Sequence, residues 1–170
     1  SDLVVVSNDL REDKSLFNVA VQAALFRAPT GVMLNGTASP AALTPMRVVV
    51  AWRPAKSCAR AVQAALPMLL GADEVTLVLV DPVTTPMRDG ENPGVDVARW
   101  LGHLGCKITV QQAPSGGQDI GHVLMKLARE AGAELLVMGA YDHSRLREIV
   151  LGGTTKTMVE QRDLAVFMAH

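Results

Sequence analysis

The feature that most constrains this chain is a near-unbroken alternation of short Val-rich runs with segments of helical period. Arg47-Val48-Val49-Val50-Ala51-Trp52 is apolar at consecutive positions. As a strand it buries both faces, which happens in a parallel sheet covered by helices. Residues 55–70 follow with Ala, Val and Leu at helical spacing, and Gly71 supplies a stop. Further apolar runs occupy 75–80, ending at Asp81-Pro82, then 107–111, 135–138 and 164–168. Helix-period segments separate them, one through Val97, Trp100, Leu101 and Leu104, one through Ile120, Val123, Leu124 and Leu127, and one over 154–161. Gly105 and Gly132 close the first two, and Ser115-Gly116-Gly117 is a turn. Five strands joined by helical crossovers predict an α/β domain over residues 46–170, with a five-stranded parallel sheet and helices on both faces. Ligands of such sheets sit beyond the carboxyl ends of the strands, where strand order reverses. That places Trp52-Arg53, Val80-Asp81 and residues 139–154 on the functional rim.

The whole chain has 170 residues, room for one domain, or for one domain and a fragment of another. With 49% hydrophobic residues it has ample apolar surface to offset chain entropy, so disorder is excluded. No apolar stretch approaches the roughly 20 residues that a bilayer requires, so no membrane partner is expected. Sixteen basic residues face seventeen acidic ones without a basic stripe, which argues against a nucleic-acid partner. Cys58 and Cys106 lie in apolar contexts and are expected as buried thiols in a reducing compartment. The opening Ser1-Asp2-Leu3 lacks a charged leader and a cleavage site, so the cytoplasm is the expected compartment.

The first 45 residues do not fit the 46–170 domain. Asp2-Leu3-Val4-Val5-Val6-Ser7 resembles Glu134-Leu135-Leu136-Val137-Met138-Gly139, and Gly31-Val32-Met33-Leu34 resembles Ala165-Val166-Phe167-Met168. Residues 16–26 are helix-periodic, as are 154–161. This is a strand–helix–strand repeat at an offset of about one domain length. Residues 1–35 are therefore expected to be the end of an upstream copy, with 36–45 as linker. The bland alternative is a coincidental unit of a kind common in α/β chains. If the segment is such a piece, its apolar helix face, Leu16, Val19, Ala20 and Ala23, needs cover from the rest of the chain or from a second one.

The most informative stretch is 139–155, Gly-Ala-Tyr-Asp-His-Ser-Arg-Leu-Arg-Glu-Ile-Val-Leu-Gly-Gly-Thr-Thr. A glycine ends a buried strand, and Gly152-Gly153-Thr154-Thr155 opens a helix. Amides at a helix N-terminus favour an anion such as phosphate. The alternative is an ordinary turn with Thr154 as N-cap.

These residues resemble the signature of the universal stress proteins, which is Gly, two residues, Gly, nine residues, Gly, then Ser or Thr. Gly139 matches the first glycine and Gly152 the third, and Ser144-Arg145-Leu146 and Val150-Leu151-Gly152 are similar to the family. So are Val48-Val49-Val50-Ala51-Trp52 and the 75–80 strand. The resemblance covers 46–170, and residues 1–45 look like the tail of a preceding domain, which makes the chain the C-terminal domain of a tandem member. It implies the adenine-nucleotide alpha-hydrolase-like fold. It also implies a non-enzymatic stress-response module that binds ATP, with magnesium, at Val80, Gly139, Asp142, Gly152, Gly153 and Thr154. Final strands of the family pair across a domain interface, so the resemblance also implies that 31–34 and 164–168 lie close together or mediate a homodimer. A regulatory partner protein is implied as well. The sequence departs from the pattern at three places. Asp142 stands at the second glycine, Gly153 where Ser or Thr is usual, and Arg53-Pro54 where Asp-Gly commonly follows the first strand. A dimerisation or scaffold module without nucleotide is thus the second reading.

Other chemistries lack their residues. There is no Gly-x-x-x-x-Gly-Lys-Ser/Thr, no Gly-x-Gly-x-x-Gly and no Gly-x-Ser-x-Gly. His103, His122, His143 and His170 show no metal-ligand spacing, so neither a metal site nor a catalytic base is assigned, and a slow ATPase has no support. His143 is read as a loop residue, and Arg145, Arg147 and Glu148 as a solvated face. Trp100 is expected in the core, and Trp52 packed under the rim loops.

Overall fold

The computed structural model describes residues 3–6, 12–27, 31–34, 44–85, 91–140 and 153–170. Among them, seven strands form one sheet: β1 (Leu3–Val6), β2 (Gly31–Leu34), β3 (Arg47–Ala51), β4 (Glu74–Val80), β5 (Ile108–Ala113), β6 (Leu135–Gly139) and β7 (Ala165–Ala169). Their order is β1-β2-β7-β6-β3-β4-β5. Neighbours run parallel except β2 and β7, which are antiparallel. The expected five-stranded parallel sheet is therefore corrected to a seven-stranded mixed one. The five predicted strands are parallel neighbours, and the leading segment adds two more across the edge of β7.

Helices cover both faces, as expected. Residues of α1 (Lys14–Arg27), α5 (Ile120–Glu130) and α6 (Gly153–Glu160) share one apolar cluster with Val49, Val78, Leu136 and Val166. Residues of α2 (Lys56–Ala64), α3 (Leu66–Gly71) and α4 (Val95–His103) share the other with Val48, Val50, Leu77 and Leu135. Consecutive strand residues point to opposite faces. That is why the central strands are apolar without interruption.

Two local expectations are corrected. The helix predicted over 55–70 is broken at Ala65, and Pro67 lies in the first turn of α3. Proline has no N–H to continue the α2 ladder, so a new helix starts around it. Trp100 is 42% exposed rather than core. Helix α4 lies over the edge strand β5, and only its narrow face through Leu101 is covered. Cys58 and Cys106 are buried free thiols, as expected, and burial pushes the Cys106 thiol up. No helix among the described residues is long and apolar enough to cross a membrane.

The two strand pairs that look alike in the sequence are paired in the same parallel register. Leu3 pairs with Gly31 through Val6 with Leu34, in the register that joins Leu135 to Ala165 through Met138 to Met168. Strands β2 and β7 meet with Val32 opposite Met168, Met33 opposite Phe167 and Leu34 opposite Val166. Exchanging each residue for its counterpart in the other copy reproduces this list. A local two-fold axis thus passes through the Met33–Phe167 pair.

The leading helix was expected to need cover on Leu16, Val19, Ala20 and Ala23, but it packs through another face. Phe17, Val21 and Leu25 are buried, whereas Leu16 and Val19 are 51% and 59% exposed. Both faces of α1 are apolar, so periodicity could not choose between them. Strand β7 is hydrogen-bonded to β6 on one side and β2 on the other, so the two segments expected to lie close together or to mediate a homodimer pair with each other within the chain.

Candidate functional site at the reversal of strand order

Helices following β3 and β4 lie on one face, and those following β5 and β6 on the other. The order therefore reverses between β3 and β6, and the crevice beyond their carboxyl ends is the candidate site. Gly139 closes β6 there, against the first turn of α2. A Cβ on Gly139 would meet the Cys58 amide nitrogen at 2.5 Å, Ser57 Oγ at 2.6 Å and the Ser57 carbonyl carbon at 2.7 Å. No other residue fits without moving the helix. Ser57 is buried, and its hydroxyl has no hydrogen-bond partner among the described residues. Helix α2 has Ala55 at its N-cap and no side-chain cap. The uncapped amide terminus of α2 thus lies at the end of β6, with the buried Ser57 hydroxyl against Gly139 as a second donor in want of an oxygen.

Val80 ends β4 one strand beyond β3, half-buried. Asp81 follows with φ at 49°, a left-handed conformation that Asp tolerates better than most residues. Its carboxylate accepts the Ser115 amide at 2.8 Å, tying the end of β4 to the loop after β5. Trp52 donates its amide to the Val78 carbonyl at 2.8 Å and packs half-buried on the core.

Gly153 and Thr154 open α6 beside the start of α5. Asp119 caps α5, accepting the His122 amide at 3.2 Å, and accepts the Thr157 hydroxyl at 2.9 Å. Its Oδ2 lies 3.2 Å from where a Cβ on Gly153 would be. A Cβ on Gly121 would fall 2.6 Å from Thr157 Cβ, so that glycine lets the two helices touch. The structure thus sets Val80 and Gly139 on one rim and Gly153 and Thr154 at the head of α6. Asp142 and Gly152 lie outside the described residues, as does His143.

The electrostatics are local. Hydrogen bonds from Ser115 hold the Asp81 carboxyl below its ordinary range. Burial pushes the Asp119 carboxyl up, but the bonds from Thr157 and the His122 amide, with the His122 ring 3.3 Å away, outweigh it and leave the group lowered. Both carboxyls titrate lower in the folded chain than in the unfolded one. They therefore stabilise it above the ordinary carboxylate range, and that contribution disappears as pH falls through their folded values. Melting temperatures from pH 7 to pH 3 should decline below about pH 4, and Asp119→Asn should flatten the decline. Parallel curves for wild type and variant would show that Asp119 plays no such part.

Ser57 and Asp119 are site residues that sequence reading missed. An Asp before an apolar helical run is a legible N-cap, but its bond to Thr157, thirty-eight residues on, is not. Nothing in the local sequence marks Ser57. Among the described residues no three His, Cys, Asp or Glu are grouped to hold a metal. A cleft of about 330 Å³ between Lys14, Phe17, Asn18, Val159, Glu160 and Arg162 lies toward the C-terminal end of α6, away from Gly153. It is a seam between α1 and α6.

The same arrangement of strands and helices recurs in solved structures. The chain aligns over 99% of its length with 60% of a universal stress protein from Archaeoglobus fulgidus, at 14% identity and a TM-score of 0.68. The fold is that of the universal stress proteins. A second universal stress protein structure from Archaeoglobus fulgidus matches 71% of this chain and 96% of its own, at 18% identity and a TM-score of 0.54. Protein Rv1636 from Mycobacterium tuberculosis H37Rv matches 75% of this chain and 96% of its own, at 22% identity and a TM-score of 0.50. This chain therefore spans about 60% of the first of these universal-stress-protein structures and nearly all of the other two. No protein-family model matches the sequence, and no curated protein is significantly similar to it.

Proposed function

We propose that the chain is a regulatory module of the universal stress protein family, cytoplasmic and non-enzymatic, that binds an adenine nucleotide weakly at the β3/β6 rim. The observation that carries this reading is the buried, unpartnered Ser57 hydroxyl beside Gly139, at the one place where an α/β sheet of this order takes a ligand. Val80 would border the base, and Gly139, Gly153 and Thr154, with Gly152 and Asp142 of the signature, would receive the phosphates. ATP would supply the charged phosphate chain and magnesium its partial neutralisation. The chain's own part is to bind and orient, and no residue is assigned a hydrolytic role.

A scaffold module without nucleotide is the second reading, and Asp119 favours it. This carboxylate already occupies the flank of the α6 N-terminus, where a phosphate would meet like charge. Asp142 adds another acid to the signature. Two like charges about 4 Å apart cost on the order of 1 to 4 kcal/mol, which corresponds to roughly 10- to 1,000-fold in affinity. Calorimetric titration with ATP, with and without magnesium, should show weak binding by the native chain, and Asp142→Gly should bind at least about tenfold more tightly. Tight native binding without magnesium contradicts the electrostatic account, and binding by neither protein leaves the scaffold reading.

Residues 1–35, joined through 36–45, are on this reading the closing strand–helix–strand of a second unit of the same fold, and the chain is the C-terminal part of a tandem protein. The shared register of β1–β2 and β6–β7 supports it. So does α1, apolar on the side away from the sheet as well. The two-fold relation assigns that side, and the free edge of β1, to the rest of the second unit. Self-association, where it occurs, is left with surfaces other than β7.

A further inference from the structure

Phe167 and Gly31 are matched in size across the β2–β7 junction. The Phe167 ring lies where a side chain on Gly31 would be. A Cβ there would fall within the ring, in collision with Cζ and Cε2 and 2.7 Å from Cε1. Both residues are buried on the face that also holds Met33, Ala165 and Ala169. The local two-fold makes Met33 the counterpart of Phe167, and Ala165 the counterpart of Gly31. The two halves of the junction are therefore not interchangeable. If a second copy of β7 took the place of β2 in this register, Phe167 would face Phe167 on the axis. Each ring would then meet the methyl of an Ala165 instead of the open space at Gly31.

We infer that the Phe167–Gly31 match is a specificity lock: β7 accepts β2, a strand with glycine two residues before the one opposite Phe167, and rejects a second β7 in that register, which leaves a bare β7 only unselective pairing in other registers. The leading segment is thus the built-in partner of an apolar edge that would otherwise pair with another molecule. The lock also explains why a glycine is used in a buried strand, where it ordinarily weakens pairing.

The decisive measurement is the sign of one substitution in two backgrounds. Gly→Ala within a strand ordinarily stabilises. Here Gly31→Ala makes β2 resemble β7 at the critical position, and it should lower the melting temperature by roughly 4–10 °C through overpacking, with a dimer or larger species appearing in light scattering. In the Phe167→Ala background the same change should leave the melting temperature equal or raised. Should Gly31→Ala fail to fold in the native background, the comparison of Phe167→Ala with Gly31→Ala/Phe167→Ala still decides. A loss of stability in both backgrounds, or in neither, overturns the lock.

Discussion

A chain lacking residues 1–34 should lose most of its stability and associate. Deletion strips the cover from Val166, Phe167 and Met168 of β7 and from Met158 and Val159 of α6, all 2% exposed or less. A fully buried side chain of this size contributes about 1.5–3 kcal/mol. If each of the five loses half of its burial, the deficit is roughly 4–7 kcal/mol, against a total stability of about 5–15 kcal/mol for a domain. The deletion also opens an uncharged strand, Ala-Val-Phe-Met-Ala, along its whole edge, a template for pairing with other molecules. Thermal melts and light scattering read both effects. A truncated chain that stays monomeric with an unchanged melting temperature would show β2 and α1 to be dispensable. The deletion differs from Gly31→Ala in kind, since it removes the partner strand, whereas the substitution only spoils its fit.

The second large effect is expected at Gly139. A Cβ there collides with backbone, the Cys58 amide and the Ser57 carbonyl carbon, and backbone in the first turn of a helix cannot swing aside as a side-chain tip can. Gly139→Ala should cost about 3 kcal/mol and lower the melting temperature by roughly 6–12 °C. Gly153→Ala is the control. Its nearest obstacle is one carboxylate oxygen of Asp119 at 3.2 Å, which can give by a few tenths of an ångström, so the change should be close to neutral. Similar losses at the two positions would mean that contact with α2 is not what requires glycine at 139. The expected contrast separates two glycines of the candidate site by physical role. Gly139 is needed for packing whether or not a nucleotide binds, and Gly153 carries no such requirement.

That division explains how far a glycine pattern can be read. The sequence reading put Gly139 and Gly153 in one nucleotide cradle, because a glycine that yields to a ligand and one that yields to a helix look alike in a sequence. Only the approach of α2, which starts some eighty residues earlier, distinguishes them. Ser57 was silent for the same reason. Its hydroxyl is an orphan because of what β6 places against it, and its neighbours in the chain give no hint of that. The acid at 119 was legible as a cap, but its position beside α6 was not.

Local pattern alone settled the classes of the elements and most of their positions. Runs apolar at every residue can be satisfied only between two helix layers, and a period of 3.6 can be satisfied only on one. The two related strand pairs were visible as well, because Leu3–Val6 with Gly31–Leu34 repeats the side-chain pattern of Leu135–Met138 with Ala165–Met168. What the pattern could not decide was which way the two pairs would join, and through which face α1 would pack. Leu16 and Val19 are as apolar as Val21 and Leu25, so hydrophobicity is degenerate between them. The sheet that α1 covers selects its face through Phe17, Val21 and Leu25, and the join is fixed by the antiparallel seating of β2 on β7, in the register that puts an empty glycine under the Phe167 ring. That choice rests on shape between residues 136 positions apart, and shape at that separation exists only once the chain has folded.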